Sequence, residues 1–150
     1  MANTFSQIYL HIVFSVRNRE ALIAETWEVA LHKYIAGIIT NRGHKLLVIN
    51  GMPDHIHIFI GFKPVESVAD LVREVKKSST DFINDKGYLR GKFYWQEGYG
   101  VFSNSDSQVK DVCNYIANQK EHHKKISFKD EYLAILKQYN IKYDERYVLG

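Results

Sequence analysis

The first residues alternate between polar and apolar, with Tyr9, Ile12 or Val13, and Phe14 among polar neighbours, and this period of two predicts a long strand over 5–16. The period then changes. Trp27, Leu31, Tyr34, Ile35 and Ile38 recur at helical spacing behind Thr26, a residue type that caps helices, and the pattern ends at Asn41-Arg42-Gly43. Lys45–Asn50 reads as a second strand, Gly51-Met52-Pro53-Asp54 as a tight turn and His55–Phe62 as a third strand. Ser67 and Asp70 form a capping-box-like start to a second helix with Val68, Leu71, Val72, Val75 and Phe82 as its apolar stripe. A strand is expected around Lys92–Trp95, followed by a stretch containing Gly98 and Gly100 as far as Ser105. Ser105 or Ser107 then caps a third helix with Val109, Val112, Cys113 and Ile116 on its buried side. A short helix over 129–138 and an extended tail complete the chain.

Strand, helix, two strands, helix, strand and a further helix describe a ferredoxin-like (RRM-like) α+β layer, an antiparallel sheet with two helices on one face. The other face is left for the third helix, a partner or a ligand. A chain of 150 residues without repeats suits a single domain, 1–150. No apolar run approaches the roughly 18 residues needed to span a bilayer. The opening residues lack a basic stretch and a cleavage site, and Cys113 is the single cysteine, so a cytoplasmic protein without disulfides is expected. A net charge of +3 permits a polyanionic partner without requiring one. The basic clusters are Arg17 and Arg19, then Arg73, Lys76 and Lys77 on one helix, then Lys124 and Lys125; each also suits a solvated face.

Two segments carry candidate chemistry. In Pro53-Asp54-His55-Ile56-His57-Ile58-Phe59-Ile60-Gly61 the isoleucines share one strand face, and His55, His57 and Phe59 share the other. The histidines stand about 7 Å apart by strand rise, able to converge on one metal ion or to remain a half-exposed pair. In the second segment Tyr115 and Gln119 are four apart and project from one side of a helix. A tyrosine hydroxyl is a poor nucleophile at its usual pKa near 10 and needs an aligned electrophile or nearby positive charge. A metal beside a scissile phosphate supplies both, and Gln119 offers it an oxygen. A ring packed at the helix–sheet boundary is the plainer role for one of ten tyrosines.

Together these segments resemble the single-tyrosine HUH transposases of bacterial insertion sequences, with REP-associated tyrosine transposases as close relatives. The likeness also takes in His11-Ile12-Val13-Phe14, Trp95-Gln96-Glu97-Gly98-Tyr99-Gly100, Phe102-Ser103, and Glu121-His122-His123 through Tyr143-Asp144-Glu145-Arg146-Tyr147, nearly the whole chain. The resemblance implies a divalent ion, magnesium or manganese, held by His55, His57 and Gln119. It implies attack by Tyr115 on single-stranded DNA, leaving a 5′-phosphotyrosine and a free 3′-hydroxyl. It further implies recognition of DNA hairpins and a homodimer in which the tyrosine helix of one subunit completes the site of the other. Arg73, Lys76, Lys77, Lys124 and Lys125 are the candidate DNA-binding residues.

Three further histidines have plainer expectations: His11 on the first strand could face the site and support a ligand, though a packed or solvated place suits it better, and His122 and His123 suit a solvated helix end. Asp54 suits either a turn or a hydrogen bond that orients an imidazole. Two rivals fare worse against the residues. An RNA-binding sheet would show an aromatic signature that no strand carries, and a two-histidine phosphoesterase needs H-x-Thr/Ser on two strands. A domesticated relative or a non-catalytic hairpin-binding module would share these residues.

Overall fold

The structure is a computed structural model that describes residues 4–149. Its elements are β1 (Tyr9–Ser15), α1 (Glu25–Asn41), β2 (Lys45–Met52), β3 (His55–Gly61), α2 (Val68–Lys86), β4 (Gly100–Asn104), α3 (Val109–Ala117), α4 (Gln119–His122) and α5 (Phe128–Gln138). The strands form one antiparallel sheet in the order β2-β3-β1-β4, the ferredoxin-like order. No described helix is long and apolar enough to cross a membrane.

The predicted period of β3 is realised. Ile56, Ile58 and Ile60 join Ile12 and Phe14 of β1 under Leu31, Ile35 and Ile39 of α1 and Leu71, Val72 and Val75 of α2. The hairpin joining β2 to β3 leaves room only for glycine at Gly51, where an added Cβ would stand 2.2 Å from the His55 carbonyl oxygen. Gly43 follows α1 with φ of 94°, and Gly87 ends α2 with φ of 66°. Ser67 caps α2 by accepting from the Asp70 amide at 3.0 Å.

Three local expectations are corrected. Ala24, not Thr26, stands at the start of α1, without a side-chain cap. The run 92–95 is not a strand; it meets the residue after β1 through one bridge, Val16 to Trp95. There the Gln96 carboxamide accepts the Ser15 amide at 2.7 Å, and Lys76 Nζ draws the carbonyls of Gln96, Glu97 and Gly98 away from β1. The edge strand therefore resumes only at Gly100, opposite Val13. Lastly, the stripe expected on α3 is buried only at Ile116, while Val109, Val112 and Cys113 remain partly exposed.

The second face of the sheet is covered as well. Phe128, Tyr132, Ile135 and Leu136 of α5 pack on Val13 and Phe102. Near the β2–β3 side, the Asn50 amide donates to the carbonyls of Ile116 and Ala117 at 3.0 and 3.2 Å, holding the end of α3. Lys120 of α4 bridges Glu28 of α1 and the Gly51 carbonyl, each at 2.8 Å. His55 and His57 lie where these helices meet.

Candidate active site

Alternation along β3 turns His55 and His57 away from the isoleucine core, yet both are completely buried. Buried imidazoles require partners, and each ring nitrogen here has one. His55 Nδ1 lies 2.6 Å from Asp54 Oδ1, and its Nε2 lies 2.9 Å from Gln119 Oε1. His57 Nδ1 lies 2.7 Å from His11 Nε2, and its Nε2 lies 3.1 Å from Glu131 Oε1. Asp54 thus orients a ring as well as forming the turn, and His11 belongs to the cluster.

Glu131 is the hub, 2% exposed on α5. Its Oε1 stands 2.8 Å from His123 Nε2 and 3.4 Å from His55 Nε2, besides the contact with His57. Its Oε2 accepts from Gln119 Nε2 at 2.8 Å and from the Tyr115 hydroxyl. Burial alone would raise the Glu131 pKa, but hydrogen bonds from His123, His57 and Tyr115 outweigh it and hold the carboxyl far below the usual range. Burial, the hydrogen bond to Glu131 and its charge all push the Tyr115 phenol well above its ordinary value. His57 is held below its usual pKa, chiefly by burial. His11 falls to about 3 through burial and then the neighbouring His57.

His55, His57, His123 and Glu131 bring ligand atoms within 4.8 Å of one another, a group able to hold a metal ion. Imidazoles and a carboxylate buried together at this spacing suit a divalent ion. The sequence gives little sign of this arrangement: Glu131 lies 74 residues from His57, and His123 was expected at a solvated helix end.

Tyr115 reaches this cluster within its own chain. Its ring lies 5.9 Å from that of His57 and 6.5 Å from that of His11. It borders two cavities. One, of about 400 Å³, is lined by His11, Gln108, Asp111, Tyr115, Glu131 and Tyr139. The other, of about 620 Å³, joins Tyr115 and Asn118 to His122, Lys124 and Lys125. Of the basic candidates, Lys124 and Lys125 therefore flank the tyrosine. Arg73, Lys76 and Lys77 are on α2, across the sheet, beside a cavity of about 410 Å³ with Tyr94, Trp95 and Tyr99. Lys76 is occupied there by its three carbonyls, and Arg73 by an ion pair with Asp70.

Comparison with known proteins follows the same pattern. A family model described as "Transposase IS200 like" matches residues 4–119, ending at the first residue of α4. The ISDra2 transposase TnpA of Deinococcus radiodurans is 22% identical over 120 residues, 77% of this chain and 86% of that protein. A crystal structure of a candidate transposase from Deinococcus radiodurans R1 superposes with a TM-score of 0.64 at 22% identity, covering 79% of this chain and 95% of the other. A REP-associated tyrosine transposase bound to a REP hairpin gives a TM-score of 0.63 at 16% identity, covering 84% and 74%. At those identities the two structures establish the fold.

Proposed function

The chain belongs to the IS200-like transposase family, and from that membership we propose that it cuts and rejoins single-stranded DNA with Tyr115 as nucleophile. The observation that carries this reading is the convergence of the Tyr115 hydroxyl, His55, His57 and Gln119 on one buried carboxylate, Glu131. A tyrosine merely packing its ring has no need of such a site.

The phenol is held protonated at rest and hydrogen-bonded to Glu131 Oε2. As Tyr115 Oη attacks phosphorus, its proton is lost to solvent, and the hydrogen bond to Glu131 Oε2 serves to orient the phenol. The P–O3′ bond breaks, leaving a 5′-phosphotyrosine and a 3′-hydroxyl that takes its proton from solvent. Attack by a 3′-hydroxyl later reverses these changes and returns the proton to Tyr115. The phosphotyrosine conserves the linkage, so no nucleotide is consumed. A magnesium or manganese ion held by His55, His57 and Gln119 would supply charge neutralisation at the phosphate. Lys124 and Lys125, which share a cavity with Tyr115, would meet the DNA backbone.

The hairpin bound by the REP-associated relative leads us to expect hairpin-marked strands as substrates. The homodimer implied by the resemblance would bring two DNA ends together, since Tyr115 already docks on its own chain. The test is incubation with manganese and labelled single strands from both flanks of the gene. Wild type is expected to form a covalent protein–DNA adduct and Tyr115→Phe none. An equal adduct with the variant would remove Tyr115 as nucleophile, and hairpin binding without any adduct would favour a non-catalytic module.

A further inference from the structure

The second ring nitrogens of the cluster add something that neither the family match nor the histidine pair contains. In His55 and in His123, Nδ1 faces an acceptor outside the cluster, the Asp54 carboxylate at 2.6 Å and the Ile126 carbonyl at 2.7 Å. An Nδ1–H bonded to carboxylate or carbonyl fixes the ring with its Nε2 pointing the other way, the arrangement found around metal-ligating histidines. Both Nε2 atoms, with that of His57, point at Glu131 Oε1. His122 lacks this support: its Nε2 is 3.7 Å from Glu131 and its side chain is 35% exposed. The Nε2 atoms of His55 and His123 are therefore either N–H groups of imidazolium rings or lone pairs awaiting a cation. Gln119 Oε1, itself an acceptor 2.9 Å from His55 Nε2, meets the same alternative.

The geometry points to a metal site completed from beyond the family match, with His123 and Glu131 as ligands beside His55 and His57. Three imidazoles and one carboxylate oxygen make this a site for a transition ion of the manganese or zinc type rather than magnesium, which prefers oxygen donors. The two oxygens of Glu131 divide the work: Oε1 faces the imidazoles, and Oε2 keeps Tyr115 and Gln119. This inference rests on the reading that a metal binds at His55 and His57.

Calorimetric titration of the metal-free full chain with Mn²⁺, Zn²⁺ and Mg²⁺ tests it without reference to activity. Wild type should bind Mn²⁺ or Zn²⁺ at least about 100-fold more tightly than Mg²⁺, and Glu131→Gln and His123→Gln should each weaken Mn²⁺ binding by about 10-fold or more. Pulsed EPR of the Mn²⁺-loaded wild type should count three coordinated imidazole nitrogens, and this needs no variant to fold. Two nitrogens, or unchanged affinity in folded Glu131→Gln and His123→Gln while His57→Ala binds nothing, would overturn the extended site and leave the histidine pair intact. Wild-type affinity in His57→Ala would overturn the underlying reading as well.

Discussion

On one side of the sheet Ile56, Ile58 and Ile60 are sealed under α1 and α2; on the other, His55 and His57 are sealed just as completely under α3, α4 and α5. The apolar side gains from area removed from water, a force without direction, so many packings of similar volume would serve. The polar side must satisfy each nitrogen with a particular atom at hydrogen-bond distance, and most of those atoms come from distant segments. The two sides thus hold the same sheet together under different tolerances. The proposed metal and DNA both meet the polar side.

The sharpest break of this comparison concerns whether the polar side is complete within one chain. His57→Ala and Tyr115→Phe, co-expressed and purified together, are expected to yield no covalent adduct, because neither chain carries both groups and Tyr115 contacts the cluster of its own chain. Recovered adduct would show that the tyrosine helix crosses between subunits, as the resemblance implied.

Next in size are the stabilities of the two sides. Ile58→Ala should cost about 2–5 kcal/mol in urea unfolding, with or without metal. The cost of His57→Ala should instead grow when Mn²⁺ is added, since wild type alone gains about 2.7 kcal/mol at 100 times the dissociation constant. Equal costs with and without Mn²⁺ would deny the polar side its ligand.

The same contrast explains what was legible in the sequence. The period-two isoleucines, the α2 stripe and the end of α1 at Gly43 follow from local spacing, and the structure reproduces them. His55 and His57 stood out through strand alternation, and Tyr115 and Gln119 through their spacing of four, although the expected single helix breaks at Asn118 and places Gln119 on α4. Glu131 and His123 did not, since a lone acid on an amphipathic helix resembles any solvated one until the fold carries it into the seam. The strand expected at 92–95 failed for a related reason. Its β-rich composition is local, whereas the capture of the 96–98 carbonyls by Lys76 comes from another helix.

Acid should separate the two sides more gently. His11 is neutral in the fold, with its pKa lowered from 6.5 to about 3, whereas in the unfolded chain it protonates below about 6.5. The unfolded state therefore binds more protons between these values, and stability falls as pH drops through that window. The slope reaches about 1.4 kcal/mol per pH unit for this group. His57, also lowered by burial, acts with the same sign, while His123, in which burial is outweighed by the hydrogen bond to Glu131 and its charge, is raised and acts with the opposite one. Urea midpoints measured with chelator from pH 7 to 4 should show this slope, reduced in His11→Phe; an unchanged slope in that variant would remove His11 from the acid response.

The smallest effect asks which side meets the nucleic acid. Lys124 and Lys125 share a cavity with Tyr115, while Arg73 and Lys77 border a cavity across the sheet; Arg73 is paired with Asp70 and Lys124 with Glu121, so nearness to Tyr115 is what separates the two pairs. Each phosphate contact to a single strand contributes about 0.7 to the slope of log affinity against log salt. Lys124→Ala with Lys125→Ala should therefore reduce that slope by about 1.4 in anisotropy titrations of a single-stranded substrate, whereas Arg73→Ala with Lys77→Ala should leave it unchanged. If the second pair carries the reduction, DNA wraps onto α2 and the aromatic cavity of Tyr94, Trp95 and Tyr99. The isoleucine side would then be a binding surface in its own right and not merely the scaffold for the histidines.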